Sequence, residues 1–166
     1  MVLPLQKYMI SMEPKKCMIA EVAIVLNGKI LLMAHKKLGN WWYTGGHINK
    51  GELPEEAAIR EGREETGIAV ELINCGTQKG LQPKNRAITP LCIAKGDYSY
   101  AQGKHRHYEI IFLARPKNGS TLFRRNKKES TAMGWFAMSE LSGLEMTRHA
   151  RSVSKMALKK AAELGI

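Results

Sequence analysis

Residues 54–66 read as a helix with one face crowded by carboxylates, and that face limits what the rest of the chain is able to build. Pro54 suits the first helical position, Glu55 and Glu56 suit the positive end of the helix dipole, and Gly67 ends the helix. Leu53 supplies no side-chain acceptor at the N-cap, and Gly62 inside the helix costs about 1 kcal/mol relative to alanine and loosens it. Glu61, Glu64 and Glu65 stand at i, i+3 and i+4, so three carboxylates share one face and repel one another. Arg60 reaches Glu56 or Glu64, four residues either way, and cannot neutralise all three. Two environments tolerate such a face. One is open solvent, the ordinary fate of a charge run. The other is a divalent cation. A hard cation such as Mg²⁺ takes oxygen ligands and shares them with substrate phosphates. There it polarises a phosphoryl oxygen and acidifies an attacking water. Just upstream, Gly45-Gly46 and Gly51 permit tight turns and close backbone approach.

Strand signals surround this helix. Cys17 to Leu26 is apolar and rich in β-branched residues, Asn27-Gly28 is a two-residue hairpin signal, and Lys29 to His35 returns as the partner strand. Trp41 to Thr44 is extended, and Ile68 to Cys75, Ile88 to Ala94, His107 to Ala114 and Gly134 to Ala137 read as further strands. Thr147 caps a last helix to about Leu164, with an apolar stripe of Ala150, Val153, Ala157, Ala161 and Leu164. Residues 1–16 look like an irregular lead-in. Hairpins mixed with crossovers point to an α/β fold, with helices packed on a mixed sheet, in a single domain of 166 residues.

Composition adds exclusions. Cys17, Cys75 and Cys92 form no CxxC pair, and an odd count argues against a secreted disulfide framework, so buried reduced thiols are expected. No apolar run reaches the ~18 residues of a membrane span, and the N-terminus lacks the apolar core of a signal peptide. The expectation is a cytoplasmic protein with no membrane partner. A net charge of +11 points to anionic partners, without choosing among phosphates, polyphosphates and nucleic acid. A lysine-rich surface that serves solubility accounts for part of the excess.

Taken together, Gly46, Glu52, Arg60, Glu61, Glu64, Glu65, Gly67 and Ile68 fall in register with the Nudix box, G-x5-E-x7-R-E-U-x-E-E-x-G-U with U aliphatic. Accidental agreement at the fixed letters is on the order of 10⁻⁸ per start point. Gly62 departs from the first aliphatic slot. Gly39-x-Trp41-x-Tyr43-Thr44-Gly45-Gly46 is similar to the family's lead-in to the box, with Thr44 where proline is usual. Trp135-Phe136 followed by Ser139-Glu140-Leu141 resembles its late W-F-x-x-x-E-L segment.

The resemblance implies an α/β/α sandwich and a metal-dependent hydrolase that cleaves a phosphoanhydride bond in a nucleoside di- or triphosphate derivative. It implies Glu61, Glu64 and Glu65, with the Gly45 carbonyl, as ligands of Mg²⁺ or Mn²⁺. Arg60 would orient the glutamates, and Glu52 would bind metal-bound water or brace the loop. The base on the attacking water would be one of the box glutamates, Glu64 among them, or a distant one, for which Glu129 is the candidate. Glu129 reads equally well as a surface residue of the basic loop 124–128. Gly46, Trp42 and His107 are candidate substrate contacts. Trp42 is the better stacking candidate because Trp41 is expected to pack in the core.

His105, His107 and Glu109 alternate along one strand and so share a face. An exposed or hydrogen-bonded face is the expectation, and cleft lining is the alternative. Three donors spaced along one strand make a poor tetrahedral set for zinc. Two other functions stay open beside the small-nucleotide hydrolase. One is an RNA 5′-end pyrophosphohydrolase, which the basic loop and the basic C-terminal helix would suit. The other is a non-catalytic nucleotide-binding module, against which the intact carboxylates argue. Many relatives are dimers, so a homodimer is a further possibility.

Overall fold

Strand β1 (Lys15–Leu26) organises the molecule because both its faces are apolar and both its edges are paired. Ala20, Val22 and Ile24 pack into one core, whereas Ala23 and Val25 pack into another on the opposite face. Buried on two sides, the strand takes a parallel neighbour, as doubly covered strands do. The structure is a computed structural model that describes residues 14–77, 82, 84, 86–100 and 103–166.

The parallel neighbour is β7 (Gly103–Pro116), in register from Lys15 opposite His105 to Ile24 opposite Ala114. On its other edge β1 pairs antiparallel with β4 (Thr44–His47), Ile19 opposite His47 and Glu21 opposite Gly45. Its last residues turn through Asn27 (φ 52°) and Gly28 (φ 71°) into β2 (Lys29–His35). Both turn residues are left-handed, which is what matches a two-residue turn to the twist of a hairpin. Beyond β2 lie β3 (Trp41–Trp42) and β8 (Ser130–Ala137). Strand β7 also carries β5 (Val70–Ile73) and β6 (Cys92–Tyr100) along its free edge.

Helix α1 (Pro54–Thr66) covers one face through Ala57 and Ala58, against Val22, Ile24, Phe112 and Ala114. Helix α2 (Arg148–Glu163) covers the other through Ala150, Val153, Ala157, Leu158 and Ala161, against Ile30, Leu32, Ile111 and Leu113. Thr147 caps α2 by accepting the Ala150 N–H at 3.1 Å. The result is the expected α/β/α sandwich on a mixed sheet. No helix among the described residues is long and apolar enough to cross a membrane.

Several boundaries differ from the sequence reading. Strand β1 starts at Lys15, so part of the expected irregular segment pairs with β7, while residues 1–13 lie outside the described residues. The strand expected at Ile88 to Ala94 instead runs from Cys92 to Tyr100. Its polar half alternates, and Lys95, Asp97 and Ser99 hide the strand from any search for apolar runs. The same masking moves the start of β7 back from His107 to Gly103. Gly62 does not interrupt α1, and a Cβ there would stand 3.4 Å from methyls of Val22 and Val70.

Candidate active site

The carboxylates of α1 are arranged by Arg60. Its Nε donates to Glu52 at 2.7 Å, its Nη1 to Glu61 at 2.7 Å, and its Nη2 to Glu52 at 2.8 Å and to the His47 carbonyl at 3.1 Å. Glu64 is 3.6 Å from Nη1. The guanidinium fork thus braces the loop before the helix against the helix itself. The pairing with Glu56 expected from spacing does not form. Glu56 accepts the Leu53 N–H at 2.9 Å instead, and so caps the helix that Leu53 cannot cap. The hydrogen bonds from Arg60, with one from the Asn49 N–H, hold Glu52 at a pKa of about 2.

The glycines serve contact with this cluster. A Cβ on Gly46 would collide with the Glu61 carboxylate, and one on Gly45 would stand 2.7 Å from the Glu21 Cα. The Gly45 N–H donates to Glu65 at 3.0 Å.

Glu65 is nearly buried, at 4% exposure. Burial raises its pKa to about 8, against the opposing Gly45 hydrogen bond and helped by Glu61, Glu129 and Glu64. Burial also raises Glu61, although Arg60 opposes it. Glu129 reaches this group because the loop before β8 is tied to the end of α1. Arg124 N–H donates to Thr66 O at 2.7 Å, and Asn126 N–H to Glu65 O at 2.9 Å. One oxygen of Glu65, one of Glu129 and one ring nitrogen of His35 lie within 4.8 Å of one another. Glu61 and Glu64 belong to no such group, although all these carboxylates line one cleft of about 730 Å³. Crowded oxygen donors, of which Glu61 and Glu65 are raised chiefly by burial and further by neighbouring carboxylates, fit a hard divalent cation. Lys37 adds a cation at that end, 3.8 Å from Glu129.

The opposite wall is built from the odd-numbered positions of β1 and β7. Glu21, 5% exposed, accepts the Trp42 indole N–H at 3.0 Å. Burial, with Glu109 close by, raises its pKa to about 8. Glu109 is fully buried and stays below its ordinary pKa. Burial alone would raise it, but hydrogen bonds from His149 and Tyr98 outweigh that cost. The Tyr98 hydroxyl donates to Glu109 at 2.5 Å, and His149 Nε2 lies 2.8 Å from its other oxygen. One carboxyl of this pair is therefore neutral and the other ionised near pH 7.

The expected substrate contacts divide. Gly46, Trp42 and His107 all line the cleft. Trp42, however, is 4% exposed and packs among Tyr43, Tyr98 and His149, so it forms a floor and not the open stacking platform expected. Trp41 packs edge-on against Phe136 at 4.9 Å, because both faces of β3 are covered. His105 and His107 line the cleft rather than a plain strand face. Glu109, on the same face, is fully buried. The cysteines are free and half-buried rather than buried.

Sequence reasoning missed Glu21, Tyr98, His47 and His149. A lone glutamate inside the apolar run 17–26 was the available signal for Glu21. The other three depend on register and on the docking of α2.

A sandwich of this topology, with a glutamate helix facing a cleft across a double-glycine strand, is the architecture of the Nudix family. The family model described as "NUDIX domain" matches residues 18–156, and the chain belongs to that family. A NUDIX-family hydrolase from Clostridium perfringens superposes with a TM-score of 0.74 at 30% identity, covering 86% of this chain and 95% of that one. A MutT NUDIX hydrolase from Burkholderia pseudomallei gives a TM-score of 0.61 at 27% identity, covering 88% and 98%. A MutT-like protein of Streptomyces ambofaciens is 29% identical over 125 residues, 75% of this chain. The match spans 65% of that relative's own length. Members of the family act on nucleoside diphosphate derivatives and generally use a divalent metal.

Proposed function

We propose that this chain, acting as one domain, is a Mg²⁺- or Mn²⁺-dependent pyrophosphohydrolase. It cleaves a phosphoanhydride bond in a small nucleoside di- or triphosphate derivative. The observation that carries the reading is the crowd of carboxylates lining the cleft, Glu61, Glu64, Glu65 and Glu129, with Glu61 and Glu65 raised in pKa by burial and by their carboxylate neighbours. Glu61, Glu64 and Glu65, with the Gly45 carbonyl, would hold the cation. When bound, it supplies Lewis-acid polarisation of the phosphoryl group and acidifies water.

The residues of the chain do the rest. Arg60 and Glu52 are positioning residues that fix the loop 47–52 against α1. Glu64, whose side chain is 58% exposed, and Glu129, 35% exposed, are the two carboxylates open enough to take a proton from an attacking water. Gly46 gives the diphosphate room beside Glu61. Further in, His107 and the Trp42 floor bound the space for the nucleoside. A fold neighbour crystallised with ADP ribose, 14% identical, carries a nucleotide-like ligand of that kind. A cytoplasmic setting suits three free thiols.

The test is a product-identified screen with Mg²⁺ and with Mn²⁺. It covers nucleoside triphosphates, nucleotide sugars, dinucleoside polyphosphates and triphosphorylated RNA. Release of a nucleoside monophosphate or of pyrophosphate from a small nucleotide is the expected result. Turnover confined to RNA, or binding without turnover, overturns it.

A further inference from the structure

The cleft holds a second cluster with a different donor chemistry. Cys17, His47, His105 and His107 each offer one ligand atom, and those four atoms lie within 4.8 Å of one another. They come from three strands. Cys17 sits on β1 directly opposite His107 of β7, His105 is two residues earlier on β7, and His47 of β4 lies across β1, opposite Ile19. Residues paired across a sheet share a face, as do alternate residues along a strand. All four side chains therefore rise from the same face, the one that lines the cleft.

The spacing is already close to that of coordination. Cys17 Sγ lies 3.7 Å from His105 Nδ1. A tetrahedral zinc, with Zn–S near 2.3 Å and Zn–N near 2.0–2.1 Å, sets sulfur and nitrogen about 3.5 Å apart. The His105 and His107 ring centroids are 5.8 Å apart and those of His47 and His107 5.5 Å, each pair edge-on at 71° and 80°. Rings set nearly perpendicular can aim their nitrogens at one point, as parallel stacked rings cannot.

We propose that Cys17, His47, His105 and His107 form a four-coordinate zinc site, separate from the carboxylate site on α1. One thiolate and three imidazoles, with no carboxylate, select a borderline-soft cation over Mg²⁺ or Mn²⁺. Four protein ligands close the coordination sphere, so the zinc is structural. It ties β1, β4 and β7 together near the start of β1. It also fixes His47 from its ring side, while Arg60 holds the carbonyl of the same residue at 3.1 Å. The zinc thereby steadies the strand that presents Gly45 and Gly46 to the glutamates. The proposal does not depend on the hydrolase reading: it concerns another metal and none of the carboxylates, and a zinc-bound His107 still walls the cleft.

The test uses the full chain, stripped with a chelator and titrated with Zn²⁺ or Co²⁺. One equivalent of zinc per chain is expected. Cobalt should show the d–d bands of a tetrahedral site and a thiolate-to-cobalt charge-transfer band. Cys17→Ser should abolish the charge-transfer band and weaken zinc binding about tenfold or more, and His105→Gln should weaken it similarly. Cys92→Ser should keep both the band and the affinity. A further readout needs no variant. Zinc should slow alkylation of Cys17 in the unmutated chain about tenfold, mapped by peptide mass spectrometry, and leave Cys75 unchanged. An octahedral cobalt spectrum without the thiolate band places the metal on the carboxylates and overturns the proposal. So does a Cys17 that alkylates equally fast with and without zinc.

Discussion

The division of labour on α1 is sharpest at Glu64 and Arg60. Glu64 is largely exposed and weakly held by Arg60 at 3.6 Å, so it contributes little to the fold. Glu64→Gln should lower kcat by about 10²–10⁴, the span of a general base or of lost metal polarisation, while KM changes less. Its melting temperature should stay level or rise, because a repulsive charge leaves the helix face. Glu71→Gln, on a surface pair with Arg115, is the control and should retain the parent rate. Equal rates for all three proteins would remove the helix from the chemistry. Glu129→Gln, measured beside them, decides between the two proton acceptors. Arg60→Lys keeps the charge but loses the fork that joins Glu52, Glu61 and the His47 carbonyl. A fall in kcat/KM of about 10–100-fold is expected, the usual size of a lost orienting contact. Unchanged kinetics would show that loop 47–52 is fixed by other means.

At the scale of elements, α1 packs on the sheet with room for a Cβ at Gly62. A Cβ there would meet Val22 and Val70 at 3.4 Å, ordinary contact, and would gain helix propensity. Gly62→Ala should stabilise the protein by about 0.5–1 kcal/mol in chemical denaturation, and a loss would mean that the helix is pushed off the strand. The helix and the first hairpin were legible before any coordinates because their signals are local. A proline start, a glycine stop and an Asn-Gly turn each act within a few residues. Strand β6 was not legible, because Lys95, Asp97 and Ser99 face outward and only pairing with β7 makes them a strand. The carboxylate cluster was legible by spacing along one helix, but its partners were not. Arg60 chooses Glu52 over Glu56 because the loop folds back, a fact that no helical periodicity contains. The cysteine–histidine cluster likewise escaped, since donors from three strands meet only once the register is set.

For the molecule as a whole, two buried carboxyls make stability depend on pH in an unusual direction. Glu21 and Glu65 both rise from 4.5 to about 8 on folding. The folded chain then holds protons that the unfolded chain releases. Stability from these groups is complete below about pH 4.5 and is lost as pH climbs toward 8. The melting temperature of the metal-free protein should fall across that window, and Glu21→Gln should flatten part of the fall. Added Mg²⁺ should offset the share of Glu65, because a cation favours its ionised form. A level profile in the metal-free protein would contradict both assignments. The parallel β1–β7 ladder carries a different consequence, one of timing. Its partners stand some ninety residues apart in the chain, and the glutamate helix lies between them. During synthesis the apolar β1 emerges long before β7 exists to flank it, with only β2 and the short β4 to pair with. Long-range pairing of this kind is slow to nucleate and leaves sticky intermediates. Refolding yield should therefore drop as protein concentration rises, and a ribosome that pauses between residues 35 and 105 holds the chain at its most vulnerable.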